Sequence, residues 1–126
     1  MPPTVYESFR LVTDLDRSVS FYEAIGLTSE ERSSRRAEFP TEGGTLVLEE
    51  EYDEETLAEY GLEKPGENRG TGTILVLRVD SVDESFERAK AAGATVLRPP
   101  REEEWGEKLC LVEDPDGYVV ELVRPL

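Results

Sequence analysis

At 126 residues the chain is long enough for one domain with a real core and too short for two. Its 29 acidic residues against 14 basic ones leave a formal charge of −15, which excludes the cationic footprint needed to hold nucleic acid or an anionic lipid surface. It has no histidine and one cysteine, so an imidazole base, an imidazole metal ligand and an internal disulfide are all excluded.

The first residues, Met-Pro-Pro-Thr-Val-Tyr, carry neither a basic segment nor an apolar core, and no run in the chain approaches the length of a membrane span. No export signal and no membrane contact are expected, and the lone thiol suits a reducing cytoplasm. Glu7 opens a short strand that ends at Asp14. An amphipathic helix follows, with Leu15, Val19, Tyr22 and Ile25 on one stripe and Gly26 as its left-handed exit. Strands are then expected over residues 27–31, 35–40 and 45–51, the last two joined by a hairpin at Thr41-Glu42-Gly43-Gly44. Residues 52–60 suggest a helical turn. Residues 61–72, with Pro65, Gly66, Gly70 and Gly72, read as a mobile loop.

The same wording then returns. A strand ending at Asp80 leads into a helix with Val82, Phe86 and Ala89 on its apolar stripe and Gly93 at its exit. Strands are expected over 95–98, 108–113 and 118–123, with Asp114-Pro115-Asp116-Gly117 as the second hairpin turn. Asp14 and Asp80 are both placed to accept hydrogen bonds at a helix start. The chain is therefore read as one α+β domain of two βαβββ modules, module one over 4–51, a linker over 52–72 and module two over 73–124. Its strands are expected to curl as a mixed sheet around a cavity, with the helices on the outer face.

Only three of the cations are lysines: Lys64, Lys90 and Lys108. An acidic, lysine-poor composition suits a halophilic setting, because the Debye length falls to about 3 Å in molar salt and self-repulsion is screened. The runs Glu49-Glu50-Glu51, Asp53-Glu54-Glu55 and Glu102-Glu103-Glu104 are accordingly read as solvated surface. Cys110 lies among Leu109, Leu111 and Val112 and is read as a buried, inert thiol.

One residue breaks the apolar pattern. Glu121 shares a strand face with Val119 and Val123, because side chains two apart point the same way. The wording around it resembles the vicinal oxygen chelate superfamily, which includes glyoxalase I, bleomycin-resistance proteins and extradiol dioxygenases. Asp14-Leu15-Asp16-Arg17-Ser18, Phe21-Tyr22 and Gly26-Leu27 carry the resemblance in the first half. Ala91-Ala92-Gly93-Ala94, Trp105-Gly106, and Asp114-Pro115-Asp116-Gly117-Tyr118 through Glu121-Leu122 carry it in the second.

The resemblance implies four cavity-facing positions, which ligate a metal in the family's metal enzymes. Here they correspond to Glu7, Val47, Thr73 and Glu121. Glu7 stands seven residues before Asp14, and Thr73 seven before Asp80. Val47 offers no lone pair and Thr73 only a neutral hydroxyl. No dioxygenase triad of two histidines and a carboxylate can be assembled, and zinc lacks nitrogen and sulfur donors. No metal or other cofactor is expected, the alternative being Mg²⁺ or Mn²⁺ held weakly by Glu7 and Glu121.

The implied cavity is lined by Phe9, Leu11, Val47, Leu75, Leu77 and Val119, with Trp105 at its wall, and Thr73 facing it beside Glu7 and Glu121 as a ligand-binding position. Two carboxylates there raise each other's pKa unless a cation such as Arg36 or Arg98 compensates. Arg10 and Arg78 are read as lying on the faces opposite the cavity. The expected function is metal-independent binding of a small molecule by a homodimer, as in bleomycin-resistance relatives. The alternative is a divalent-metal-dependent lyase or isomerase, similar to a lactoylglutathione lyase, with an incomplete carboxylate-based metal site and Glu7 and Glu121 as its catalytic acid and base.

Overall fold

The computed structural model describes residues 1–30, 32–67 and 69–126. In chain order the elements are β1 (Glu7–Val12), α1 (Leu15–Ala24), β2 (Arg36–Thr41), β3 (Gly44–Glu50), α2 (Glu54–Glu59), β4 (Leu75–Arg78), α3 (Val82–Ala91), β5 (Thr95–Glu103), β6 (Glu107–Glu113) and β7 (Val119–Pro125). The strands divide into two sheets, a three-stranded one ordered β1-β3-β2 and a four-stranded one ordered β4-β7-β6-β5. Each is mixed: β1 runs parallel to β3 and β4 parallel to β7, while the hairpins β2–β3 and β6–β7 are antiparallel. The α+β class and the repeated strand–helix–hairpin plan are those expected.

The local chemistry explains where elements start and stop. The Asp14 carboxylate accepts from the Arg17 amide at 3.1 Å and starts α1. In the second half the cap is Ser81, whose hydroxyl accepts from the Glu84 amide at 3.2 Å; Asp80 does not fill that role. The two halves therefore align on Asp14 and Ser81, one residue away from an alignment on the two aspartates. In the first half the segment expected over 27–31 forms only an isolated bridge, Glu30 to Glu38, and Glu31 lies outside the described residues.

The core is shared. Val12, Leu46, Leu48, Ala37 and Phe39 from the first sheet join Cys110, Val112, Val120 and Leu122 from the second in one buried cluster. Leu15, Val19, Phe21 and Tyr22 of α1 and Val82, Phe86 and Ala89 of α3 complete it. Phe21 meets Tyr22 edge-on at 5.1 Å between ring centroids. Each sheet thus turns one face toward the helices and the common core, and the opposite face away from it.

The Asp114–Gly117 turn joins the halves. The Asp114 side chain is buried, and its carboxylate accepts from the Tyr22 hydroxyl at 2.6 Å and from the Asp116 and Tyr118 amides at 2.9 and 3.0 Å. Asp116 accepts from the Thr13 hydroxyl at 2.6 Å at the mouth of α1. The linker expected to be mobile is fastened as well. Arg69 donates to the Leu11 carbonyl at 3.0 Å and pairs with Glu51, while buried Gly70 lies against Gly117 and Val119. Asn68, within the same expected loop, lies outside the described residues.

Candidate functional site

Side-chain alternation along the paired strands sorts the expected site residues by face. On the first sheet Glu7, Phe9 and Leu11 of β1 share the outward face, and the register sets Phe9 beside Val47 and Leu11 beside Glu49. Arg36 and Glu38 of β2 fall on the same face, opposite Glu49 and Val47. Val47 is fully buried there, outside the shared core.

At the centre lies Arg36. Its guanidinium is 3.3 Å from Glu7, 3.2 Å from Glu38 and 3.6 Å from Glu49, and it sits over the Phe9 ring at 5.5 Å. All four charged side chains remain 22–33% exposed. Tyr52 donates its hydroxyl to Glu49 at 3.0 Å, and burial followed by that bond raises the phenol above its ordinary pKa. Beyond Tyr52 a cavity of about 660 Å³ opens toward α2, walled by Leu57, Arg35, Lys64 and Pro65.

On the second sheet the outward face carries Val119, Glu121 and Val123 of β7, with Leu111 beside Glu121 and Leu109 beside Val123. Val76 of β4 is the other neighbour of Glu121. Burial lifts the Glu121 carboxyl above the ordinary value, and the nearby Glu107 charge adds to the effect. Glu107 accepts from the Trp105 indole N–H at 2.8 Å, which tethers that exposed ring of the β5–β6 turn to the start of β6, the strand beside β7. Arg98 does not compensate Glu121; it reaches Glu103 at 2.9 Å, a carboxylate that is 5% exposed and also met by Arg101.

Several expectations change here. Leu75 and Leu77 pack against the shared core, paired with Val120 and Leu122, so they face away from Glu121. Thr73 precedes β4 and is exposed, with its amide on the Gly70 carbonyl. With the halves aligned on their helix caps, the position that corresponds to Glu7 is Ile74, seven residues before Ser81. Ile74, two residues before Val76, is 53% exposed. The cap is Ser81 and not Asp80, and a shift of one residue reverses every side chain of a strand. Arg78, which shares the Val76 side of β4, moves to the Glu121 face for the same reason. Arg10 keeps the helix side, stacked over Tyr118 at 5.4 Å.

Glu38, Glu49 and Glu107 are site-face residues that the sequence reading passed over. Glu49 belongs to a run expected to be solvated surface, but its spacing of two from Val47 sets it on the site face, where it pairs with Arg36. Glu7 and Glu121 are not brought together within one chain: they occupy the outward faces of different sheets, turned away from the core that the sheets share.

The donor set does not fit a family-type metal centre. Val47 and Ile74 offer no donor, Glu7 is engaged by Arg36, and the sequence has no histidine. Among the described residues no group of three or more His, Cys, Asp or Glu side chains is arranged to hold an ion. Nor, among them, is any helix long and apolar enough to cross a membrane.

Comparison with known proteins agrees with this architecture. A Haemophilus influenzae protein named lactoylglutathione lyase is 32% identical over 121 residues, which span 90% of this chain and 86% of its own. A chloroplastic Arabidopsis thaliana protein named as a probable lactoylglutathione lyase is 31% identical over 121 residues, but the chain spans only 33% of its length. Among solved structures, a glyoxalase-related enzyme from Fulvimarina pelagi superposes with a TM-score of 0.82 at 25% identity, over 97% of this chain and 88% of that one. Residues 8–122 match the family described as the Glyoxalase/Bleomycin resistance protein/Dioxygenase superfamily. A match over that span, on two strand–helix–hairpin halves of the kind that build the vicinal oxygen chelate fold, means that the chain belongs to this superfamily.

Proposed function

We propose that this protein binds a small, positively charged organic molecule without a metal, in a cup formed by the Glu7 face of one copy and the Glu121 face of a second. The observation that carries this reading is the ion pair between Arg36 and Glu7, which takes one of the two inherited carboxylates out of coordination. Three carboxylates on one guanidinium leave the first face net negative, and Glu107 with Glu121 makes the second face acidic as well. Apolar side chains surround both sets. Phe9, Ile74, Val76 and Trp105 are 37–65% exposed in the single chain, a surface that a second copy would cover. A planar cation would find an exposed aromatic face at Trp105 with Glu107 beside it, and the net-negative cluster of Arg36 with three glutamates on the other face. Residence in the cytoplasm goes with this reading, supported by the single buried thiol.

The test is a thermal-shift series with cationic aromatic compounds, with and without EDTA, beside elemental analysis of protein purified without chelator. The expected result is a rise in melting temperature that EDTA does not alter, substoichiometric metal, and a dimer by light scattering. Stoichiometric metal that Glu121→Gln abolishes would end the reading.

A second reading is favoured by the 32% identity to the Haemophilus protein. In it the chain acts on lactoylglutathione, with Glu7 and Glu121 moving protons or holding Mg²⁺ or Mn²⁺. Turnover of lactoylglutathione that needs added Mn²⁺ or Mg²⁺ and is lost in Glu121→Gln would establish it in place of the first.

A further inference from the structure

We infer that the protein carries a second ligand site, for a zwitterionic aromatic amino acid, in the cavity at the mouth of α3. The cavity holds about 830 Å³ and lies between the end of α1, the β2–β3 turn, β4 and the start of α3. Neither Glu7 nor Glu121 lines it, so the inference stands apart from the function proposed above. Its occupant follows from the other half of the molecule. With the halves aligned on Asp14 and Ser81, Thr13 corresponds to Asp80, Arg17 to Glu84 and Ser18 to Ser85. The strand registers extend the match: Leu46 lies beside Ser8 as Val120 lies beside Leu75, so Glu42 corresponds to Asp116 and Gly44 to Tyr118.

In the first half the chain itself fills the mouth of α1. The Asp116 carboxylate accepts from the Thr13 amide at 3.2 Å, the Thr13 hydroxyl at 2.6 Å and the Ser18 hydroxyl at 3.5 Å, with Arg17 also at 3.5 Å. Tyr118, 9% exposed, adds its ring, and the phenol donates to the Leu11 carbonyl at 2.8 Å. At α3 a glycine stands in place of that ring, and Glu42 makes no hydrogen bond or ion pair with a described residue. The receiving groups are nevertheless kept. Ser85 is 6% exposed and lines the cavity, yet its hydroxyl, unlike that of Ser18, has no hydrogen-bond partner among the described residues. The Asp80 amide, which corresponds to that of Thr13, is likewise unpartnered among them. Arg78 and Arg88 line the same cavity, and neither has an ion-pair partner among the described residues. A carboxylate on Ser85, the Asp80 amide and Arg88 would repeat the Asp116 arrangement and satisfy a buried hydroxyl. An aromatic ring on Leu27, Leu77 and Val79 would take the part that Tyr118 plays at α1. Asp80 and Glu84 replace a threonine and an arginine, which disfavours a bare anion and favours an ammonium group on the same ligand. A head of both charges beside a ring is the chemistry of an aromatic α-amino acid.

The experiment is isothermal titration calorimetry of the full chain with L-phenylalanine, phenylalanine amide and 3-phenylpropionate, the last two lacking the carboxylate and the ammonium group respectively. The expected result is one L-phenylalanine per chain, with Kd on the order of 10⁻⁴–10⁻³ M. Both analogues should bind about tenfold more weakly or worse, and so should L-phenylalanine to Ser85→Ala or Arg88→Gln. Near-ultraviolet circular dichroism confirms the fold, and Arg88→Gln, at an exposed position, carries the test where Ser85→Ala unfolds. Glu121→Gln, in the proposed cup, should leave this binding unchanged. No saturable binding at millimolar L-phenylalanine would overturn the inference and leave the proposed function standing. Binding that survives both Ser85→Ala and Arg88→Gln, or that is lost in Glu121→Gln, would place the ligand elsewhere and also overturn it. Equally tight binding of 3-phenylpropionate would overturn the assignment to an amino acid.

Discussion

Glu121 and Asp114 show how differently a carboxylate can be treated within one strand–turn unit. Both are raised above the ordinary carboxylate value by burial, but Asp114 is met by three donors and Glu121 by another negative charge. A carboxyl with a folded-state pKa above its unfolded value, about 4.3 for glutamate, supports the fold fully below that value. The support is lost as pH rises through the folded pKa. Glu121→Gln is therefore expected to raise the melting temperature of the ligand-free protein at pH 7, on the order of 2 °C, and to give no gain at pH 4. Scanning calorimetry at the two pH values checks this, and an equal gain at both would contradict it. Asp114→Ala has the opposite consequence. It strands the Tyr22 hydroxyl and two amides in the core, and is expected to cost about 2–3 kcal/mol in urea unfolding. The Cys110 thiol, pushed up to about 11 mainly by burial, is as inert as its apolar neighbours suggested.

At the scale of elements, the linker behaves as a fastening. Gly70 is buried where an added Cβ would come 2.3 Å from the Gly117 carbonyl and 2.9 Å from the Val119 amide, both backbone atoms that cannot swing aside. Gly70→Ala is expected to destabilise the fold by roughly 1–3 kcal/mol, the range for forced overpacking, whereas Gly66→Ala, with open space around it, should be near neutral. Urea midpoints of the two variants decide the matter. The reading of residues 61–72 as mobile followed from their glycine and proline content. Composition reports local freedom, and neither the Arg69 contact with β1 nor the fit of Gly70 against β7 is local. Strand and helix positions were far more legible, because the apolar stripe of α1 and the alternation in β7 are written in consecutive residues. Residues 27–31 were not, since a strand needs a partner and this one meets β2 only at Glu30.

For the whole molecule the governing quantity is charge. With 29 acidic and 14 basic residues, self-repulsion is expected to be a leading destabilising effect at low ionic strength. Raising KCl from 0.1 to 1 M shortens the Debye length from about 10 Å to about 3 Å. The melting temperature should rise by roughly 5–10 °C, equivalent to about 2 kcal/mol at this size. A midpoint that stays flat between these salt concentrations would remove the halophilic reading. Salt should also favour the proposed assembly, because the faces to be joined are both acidic.

The repeat, the superfamily wording, the lack of imidazole and the unusual carboxylate in β7 are legible in the residues alone, because each is a property of residue identity or short spacing. The resemblance also pointed to Glu7 and Phe9, and strand alternation sets both on the outward face of the first sheet. Which residues share a space came from packing between segments distant in sequence. Ile74, not Thr73, corresponds to Glu7, Leu75 turns inward, Arg36 gathers three glutamates, and Glu7 and Glu121 stand on different sheets. The reason is physical: strand register is set by hydrogen bonding between distant segments, and one residue of register reverses a face. An ion pair among three strands exists only once those strands are side by side.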